Sequence, residues 1–283
     1  MKTDFERERR WWDAKATREE QDLADEIVNR ALRWREIERR LNGIRTILEV
    51  GAATGAFSIL LARRGYEVTH VDFSPAMLDL ARQKAAELGN IRFVEANAVD
   101  LSQFADRSFD LVLNMDGAIS FCGSEAERAL FESCRVARKT LIVTVSHRAC
   151  MIPVWAQASL LTIGRIAPAV EAMVSRGAWH QDEYPENPTL TKGTTLDYMG
   201  ALHAFLPGEL RDLLAQAGMR VLLCHGLGTL AQLVGREAVE RAAQDPAVFE
   251  QFLDLCEHYD ADIAPDGPGT RQRAGLIAVA QRA

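Results

Sequence analysis

The residues of this sequence that are best placed to do chemistry follow two short apolar stretches. Gly51 and Gly55 come after residues 47–50, and Asp72 comes after residues 67–71. Glycine at such a turn tolerates positive φ and, without a Cβ, lets a ligand lie against backbone N–H groups at the start of a helix. If the two stretches are neighbouring parallel strands, Asp72 faces the same crevice and can accept the hydrogens of ribose hydroxyls. These residues therefore predict a ligand that carries a nucleoside.

Four other titratable side chains stand where they could move a proton. Asp116 and His147 lie just beyond two further predicted strands, His180 lies in a polar loop, and His203 begins the connection to a later core helix. An acid or imidazole at a strand end can take a proton from a reacting group. A loop cap remains the alternative for Asp116, and a hydrogen-bonded structural role the alternative for His147. We take Asp116, His147 and His203 as the candidate catalytic residues.

The elements that position these residues alternate between strands and helices. Apolar, β-branched runs predict strands at residues 47–50, 67–71, 91–94, 108–114, 140–145, 219–224 and 275–280. Ser74 can cap a helix that begins at Pro75. This alternation predicts an α/β fold with a doubly wound, seven-stranded, mostly parallel sheet.

The spacing at the glycine turn resembles that of a known family. Glu49-x-Gly51-x-Ala53-x-Gly55 does not fit the G-x-G-x-x-G pattern of dinucleotide sites. It resembles motif I of the class I S-adenosylmethionine-dependent methyltransferases, in which a glycine most often stands at the position of Ala53. The resemblance covers residues 44–146 and 203–281, including the string H-x-F-x-P-x-E-L-x-x-L-L-x-x-A-G at residues 203–218.

The resemblance implies a Rossmann-like methyltransferase fold and S-adenosyl-L-methionine as the methyl donor, with S-adenosyl-L-homocysteine as the product. The methyl group would move by in-line displacement to an O, N, S or C atom of a small, partly apolar metabolite. The implied cofactor-binding residues are Glu49, Gly51, Ala52, Gly55, Asp72, Phe73, Met77, Asn97, Ala98, Met115 and Asp116. The expected substrate-contacting residues are Trp12, Phe121, His147, Trp155, Trp179 and Tyr198.

Four segments are expected along the chain. Residues 1–43 form an N-terminal helical cap, residues 44–148 the cofactor-binding α/β core, residues 149–204 an insertion after the fifth strand, and residues 205–283 the rest of the core. Helices are predicted in the insertion at residues 154–163 and 168–175, followed by a polar loop at 179–195. An insertion at this edge of the sheet is well placed to form a lid over the substrate. Exposed apolar helices could equally form a dimerisation arm, so a homodimer stays possible.

Charge and composition restrict the partners. The net charge of -7 argues against nucleic acid, because such binders need a concentrated basic face. The arginines between residues 30 and 40 alternate with glutamates, which favours a solvated helix face. Five scattered cysteines without a C-x-x-C pair indicate a reduced, cytoplasmic protein. We expect no membrane span, because the uncharged run at residues 149–164 is too short and too polar.

A metal site is not expected. Asp254, His258 and Asp262 have helical i, i+4 spacing, but they stand among other acids and form a wet acidic face more often than a ligand set. Two rivals to the methyltransferase hypothesis remain. One is a nicotinamide-dependent oxidoreductase, and the other is a catalytically silent subunit that binds the cofactor or a partner.

Overall fold

The computed structural model describes residues 1–18, 24–115, 117–184, 200–269 and 275–282. Their strands are β1 (Thr46–Val50), β2 (Glu67–Asp72), β3 (Ile91–Glu95), β4 (Phe109–Asn114), β5 (Ala137–Val145), β6 (Ala178–His180), β7 (Ala201–His203), β8 (Met219–Gly226) and β9 (Leu276–Arg282). Seven of these described strands form one sheet in the order β3-β2-β1-β4-β5-β9-β8. Only β9 runs antiparallel to its neighbours in this sheet. The predicted doubly wound, mostly parallel sheet is confirmed.

Helices cover both faces of the sheet. They are α1 (Phe5–Asp13), α2 (Ala24–Glu38), α3 (Ser58–Arg63), α4 (Pro75–Lys84), α5 (Ala118–Phe121), α6 (Ala126–Val136), α7 (Arg148–Ile163), α8 (Pro168–Arg176), α9 (Pro207–Gln216), α10 (Thr229–Val234), α11 (Arg236–Ala242) and α12 (Pro246–His258). Successive side chains of a strand point to opposite faces, so Leu48 belongs to one core and Ile47 to the other. The near-continuous apolar strands are thus buried on both sides, as a parallel sheet requires.

The strand register brings the chemically interesting residues together. Val50 is paired with Val71 on one side and with Asn114 on the other. The loops that follow β1, β2 and β4 therefore leave the sheet side by side. Ser74 caps α4 as predicted, because its hydroxyl accepts the N–H of Met77 at 3.2 Å. This edge of the sheet is where open α/β folds bind ligands.

The insertion after β5 differs from the prediction in two details. Helix α7 begins at Arg148, six residues earlier than expected. Trp179 and His180 lie in strand β6, which pairs with β7, and not in a loop. No local sequence pattern indicates this strand, since its partner lies more than twenty residues away along the chain. None of the helices in the described ranges is long and apolar enough to cross a membrane.

The arginines of α2 are neutralised within the protein. Arg35 donates to Glu250, Asp254 and Glu257 of α12, at 2.5, 2.8 and 3.0 Å. Arg39 shares Glu257 at 2.8 Å. The prediction of a solvated helix face was therefore incomplete, because these charges join the N-terminal part of the chain to its C-terminal part.

Candidate active site

A cavity lies at the carboxyl ends of β1, β2 and β4, beneath α1. The space between its atoms is about 760 Å³ with its open mouth included. Its lining is mostly apolar and consists of Phe5, Glu8, Trp12, Gly51, Ala53, Asp72, Phe73, Met77, Ala96, Asn97, Ala98, Met115, Ala118, Phe121 and Cys122. The structure thus brings together nine of the predicted site residues: Trp12, Gly51, Asp72, Phe73, Met77, Asn97, Ala98, Met115 and Phe121.

The turn after β1 needs glycine at its first position. Gly51 has a φ of +66°, and a Cβ there would lie 2.4 Å from the Cβ of Ala118. Ala53 also adopts the left-handed region, with a φ of +45°, which is unfavourable for a residue with a Cβ. The turn does accommodate this Cβ, and hydrogen bonds hold Ala53 on both sides. Its N–H donates to Asp72 Oδ2 at 2.8 Å, and its carbonyl oxygen lies 3.1 Å from His70 Nε2.

His70 is a supporting residue that the sequence reasoning missed. Its Nδ1 lies 2.7 Å from Ser58 Oγ at the start of α3. Burial lowers the pKa of His70 to about 4, so the imidazole is neutral at pH 7. Since a carbonyl can only accept, Nε2 carries the proton toward Ala53, and Nδ1 accepts from the Ser58 hydroxyl. The available signal was a lone histidine in an apolar strand, which is too common to indicate a role.

Asp72 lies at the centre of the cavity wall. Its side chain is buried, and Oδ1 accepts the N–H of Ser74 at 2.9 Å while Oδ2 accepts that of Ala53. Burial raises its pKa to about 6, and the nearby carboxylate of Asp13 adds to this effect. Each carboxylate oxygen can accept more than one hydrogen bond. A ribose could therefore bind to Asp72 without breaking the turn.

Helix α1 covers the cavity with one face. Phe5, Glu8 and Trp12 follow at intervals of three and four residues, which places them on the same side of a helix. The Trp12 ring meets Phe121 edge to face, with centroids 5.2 Å apart. Glu8 and Phe5 were missed, because a glutamate in a strongly charged helix is typical of a solvent-facing position. The spacing of Glu8 to Trp12 was the signal that could have found it.

Three predicted cofactor residues shape the turn and do not line the cavity. Ala52 donates its N–H to Val71 O at 3.0 Å, and Gly55 donates to Ala52 O at 2.9 Å. Glu49 is buried within β1. Glu49, Ala52 and Gly55 are not among the residues that line the cavity, so their contact with a cofactor stays a prediction.

The two predicted catalytic histidines lie away from the cavity. His147 directly precedes α7 and is 1% exposed, and neither ring nitrogen has a hydrogen-bond partner among the described residues. Burial lowers its pKa to about 4. His203 Nε2 lies 3.1 Å from Glu209 Oε1, and Glu209 also binds Arg148 at 2.8 Å. Neither imidazole lines the cavity, because His147 is buried in the core and His203 belongs to a polar cluster at the start of α9. Their catalytic role therefore stays a prediction.

Two predicted substrate residues also lie elsewhere. Trp155 and Trp179 are each 2% exposed and pack edge to face, with ring centroids 5.6 Å apart. They form the interior of the insertion, where the Trp179 N–H donates to Tyr184 O at 3.1 Å. Some apolar side chains of α7 and α8 pack with these tryptophans, while Leu160, Leu161 and Val174 are exposed. None of the side chains of the two helices lines the cavity. Asp116 and Tyr198 lie outside the described residues.

Other candidate groups have structural partners. His180 Nδ1 accepts the N–H of Asp182 at 3.2 Å and closes a turn. His258 Nδ1 is 2.8 Å from Asp262, while Asp254 binds Arg35. Within the described ranges, no three His, Cys, Asp or Glu side chains converge as a metal site would require.

Comparison with known proteins agrees with this geometry. A family model described as a methyltransferase domain matches residues 47–140. The demethylmenaquinone methyltransferase of Thermus thermophilus is 39% identical over 111 residues, which are 37% of this chain and 49% of that protein. The magnesium-protoporphyrin O-methyltransferase of Rhodobacter capsulatus is 30% identical over 125 residues, or 44% of this chain and 54% of that protein. The chain thus spans about half the length of these curated relatives.

A solved structure extends the likeness over the whole fold. The S-adenosylmethionine-dependent methyltransferase from Mesorhizobium loti superimposes with a TM-score of 0.55 at 18% identity, covering 89% of this chain and 98% of that one. At such low identity the superposition establishes the fold, while the matched domain supplies the relationship in sequence. Residues 47–140 thus match a methyltransferase domain, and the seven-stranded sheet that includes them has the Rossmann-like fold of the class I S-adenosylmethionine-dependent methyltransferases.

Proposed function

We propose that the protein transfers a methyl group from S-adenosylmethionine to a small, partly apolar metabolite. The observation that carries this proposal is one cavity in which a glycine turn and a buried acid meet an aromatic wall. Gly51 lines the cavity at a point where a Cβ would collide with Ala118, and Asp72 supplies a hydrogen-bond acceptor in the same cavity. When bound, S-adenosylmethionine supplies a methyl carbon that is already activated by its sulfonium.

The residues along the wall fit the parts of this cofactor. Asp72 would accept the ribose hydroxyls, and the turn at Gly51 would allow close approach to the backbone. Phe73, Met77 and Asn97 adjoin Asp72 and would hold the adenine. The carboxamide oxygen of Asn97 accepts Val99 N–H at 3.1 Å, which orients that side chain.

The rest of the cavity would orient the acceptor and exclude water. Phe5, Trp12 and Phe121 present aromatic surface opposite the cofactor residues. Holding two reactants in a dry, shaped site supplies much of the rate enhancement that a methyl transfer needs. The enzyme would otherwise have only a proton to remove, and only when the acceptor carries one.

A small molecule is the acceptor class that the observations favour. The curated relatives are named for demethylmenaquinone and for magnesium-protoporphyrin, and both are small molecules. The arginines of α2 that could attract nucleic acid are paired with acids of α12. These two observations support a metabolite over a nucleic-acid acceptor.

Methyl transfer can be tested without knowing the acceptor. The protein is incubated with methyl-labelled S-adenosylmethionine and a panel of metabolites, and the products are identified by mass. We expect label in one small molecule together with an equal amount of S-adenosylhomocysteine. Fluorescence titration with a reduced nicotinamide dinucleotide is the companion measurement, and tight binding there without label transfer would favour the oxidoreductase instead.

A further inference from the structure

The cavity contains a carboxyl group for which cofactor binding gives no role. Glu8 is 1% exposed and lines the cavity from α1. Its Oε1 accepts the N–H of Ala201 at 3.1 Å. Its Oε2 has no hydrogen-bond partner among the residues that the structure describes. A buried polar atom without a partner is costly and calls for an explanation.

A structural role accounts for only one of the two carboxyl oxygens of Glu8. The bond to Ala201 ties α1 to β7, and a Cβ at Gly200 would collide with the Glu8 carboxyl. A glutamine could hold the Ala201 N–H equally well and would not bring an ionisable group into an apolar cavity. The second oxygen is therefore not needed to hold the helix.

The charged groups near Glu8 do not enter the cavity. Lys15 lies over the Trp11 ring at 3.3 Å, and Arg7 binds Asp182 at 3.1 Å. The described cavity lining contains no lysine or arginine. The partner that Oε2 lacks can therefore come from a ligand.

The other residues that line the cavity indicate which kind of ligand could bind to Glu8. Phe5, Trp12 and Phe121 offer aromatic faces and edges that suit a flat apolar body. A carboxyl group next to such surface recognises a molecule that carries an O–H or N–H donor on an otherwise apolar ring.

We propose that Glu8 Oε2 binds the hydroxyl or amino group of the methyl acceptor, so that the substrate is an apolar ring compound methylated on oxygen or nitrogen. This proposal rests on the proposed function. In the reaction, the bond from the acceptor oxygen or nitrogen to the methyl carbon forms while the methyl–sulfur bond breaks. The electron pair of the broken bond neutralises the sulfonium, and the acceptor's proton passes to Glu8.

The proton transfer requires the ionised form of Glu8. Burial raises the pKa of Glu8 to about 8. The charged neighbours that oppose or add to this effect are Arg7, Lys15 and Asp4, all from the N-terminal segment. The Cys122 thiol, directly after α5, is also near Glu8. Acceptor binding through a charge-assisted bond should therefore strengthen as the pH rises through this region.

An ammonium group is also an N–H donor, and S-adenosylmethionine carries one in its methionine part. The experiment must separate that source from the acceptor. Calorimetry with S-adenosylhomocysteine, which keeps the ammonium group, supplies the first arm. We expect Glu8→Gln to bind it within about threefold of the wild type. A loss of about tenfold or more would assign Glu8 to the cofactor and overturn the proposal.

The second arm uses a matched pair of neutral probes, 2-naphthylmethanol and its methyl ether. At about pH 9, where Glu8 is ionised, the wild type should bind the alcohol at least about tenfold more tightly than the ether, because a site built for a donor rejects the analogue without one. Glu8→Leu should bind both equally. Glu6→Gln is the control, since Glu6 is exposed on the same helix and pairs with Arg9.

A third comparison remains informative if Glu8→Leu does not fold. Glu8→Gln keeps the bond to Ala201 but cannot ionise, so its affinity for the alcohol should not change between about pH 6.5 and 9, while that of the wild type rises. Equal wild-type affinity for the two probes, or binding of neither, would overturn the proposal. Failure of the wild type to bind S-adenosylhomocysteine would refute the proposed function instead, and the probes would then be compared on the free protein.

Discussion

Gly51 lines the cavity and has a backbone conformation that favours glycine. We expect Gly51→Ala to weaken S-adenosylhomocysteine binding by at least about tenfold, because the new Cβ forces Ala118 away from the turn. Gly43 is a matched control, since its φ of +69° is close to the +66° of Gly51 and a Cβ there meets nothing within 4 Å. Gly43→Ala should cost only about 1–2 kcal/mol of backbone strain and leave binding unchanged. Calorimetry and thermal unfolding of the two variants check this, and equal binding losses would contradict it.

Single residues could be predicted from the sequence where a motif gave their spacing. Gly51, Asp72 and Asn97 follow consecutive strands, and all three line the cavity. Glu8 and His70 were not predictable, because their roles depend on contacts with Ala201, Ala53 and Ser58. His147 and His203 do not line the cavity, since a position near a strand end does not fix the direction of a side chain.

His70 connects β2 to α3 and to the turn after β1. Its protonation should therefore change the free energy of unfolding. The folded-state pKa of about 4 lies below the usual 6.5, so the unfolded chain takes up a proton first as the pH falls. The stabilisation that neutral His70 provides is therefore full above pH 6.5 and is lost as the pH falls toward 4. We expect the advantage of the wild type over His70→Gln to shrink by up to about 3 kcal/mol over this range.

Denaturant unfolding at several pH values measures this difference. The contribution of Asp72 cancels, because both proteins retain it. His258→Gln is the control, since it replaces an imidazole that is 64% exposed on a different element, helix α12. A constant difference between wild type and His70→Gln would refute the buried, neutral imidazole.

The insertion has a small core of its own, and Trp155 lies within it. Trp155→Ala should cost about 3–5 kcal/mol of unfolding free energy, as for other buried tryptophans. Its affinity for S-adenosylhomocysteine should stay within about threefold of the wild type, because Trp155 does not line the cavity. Trp12→Ala should show the reverse, with weaker binding and a smaller loss of stability. Calorimetry measures S-adenosylhomocysteine binding by both variants. A loss of binding in Trp155→Ala alone would contradict the position of Trp155 outside the cavity.

Elements were more predictable than the contacts between them. Strand β9 can be recognised from the unbroken apolar run at residues 276–280, which burial on both faces of the sheet requires. Strand β6 could not be recognised in this way, because three residues are too few to show an alternation of apolar and polar side chains, and their partner strand is distant in sequence. The packing of Trp155 on Trp179 was hidden for the same reason, since apolar composition shows that a helix is buried but not against what.

At the scale of the molecule, Arg35 joins the two ends of the chain. Its guanidinium binds Glu250, Asp254 and Glu257, and the side chain is only 17% exposed. Arg35→Ala leaves these acids facing one another, so we expect a loss of about 1–3 kcal/mol that decreases in high salt. Arg45, with a side chain 82% exposed, is the control, and its alanine variant should stay within about 0.5 kcal/mol of the wild type. Denaturant midpoints at low and high salt would show no difference between the variants if the Arg35 contacts were unimportant.

The central claim is that the cavity at the carboxyl edge of the sheet holds S-adenosylmethionine through Asp72. The most direct test is calorimetry of S-adenosylhomocysteine binding to the wild type and to Asp72→Asn at several pH values. The wild type should bind tightly at pH 7.5 and lose affinity below about pH 6, where the carboxylate takes up its proton. Asp72→Asn should bind about ten- to a hundredfold more weakly at pH 7.5, with no such pH dependence, because charge-assisted hydrogen bonds to the ribose are lost. Wild-type affinity in Asp72→Asn, or no binding by the wild type at any pH, would contradict the account.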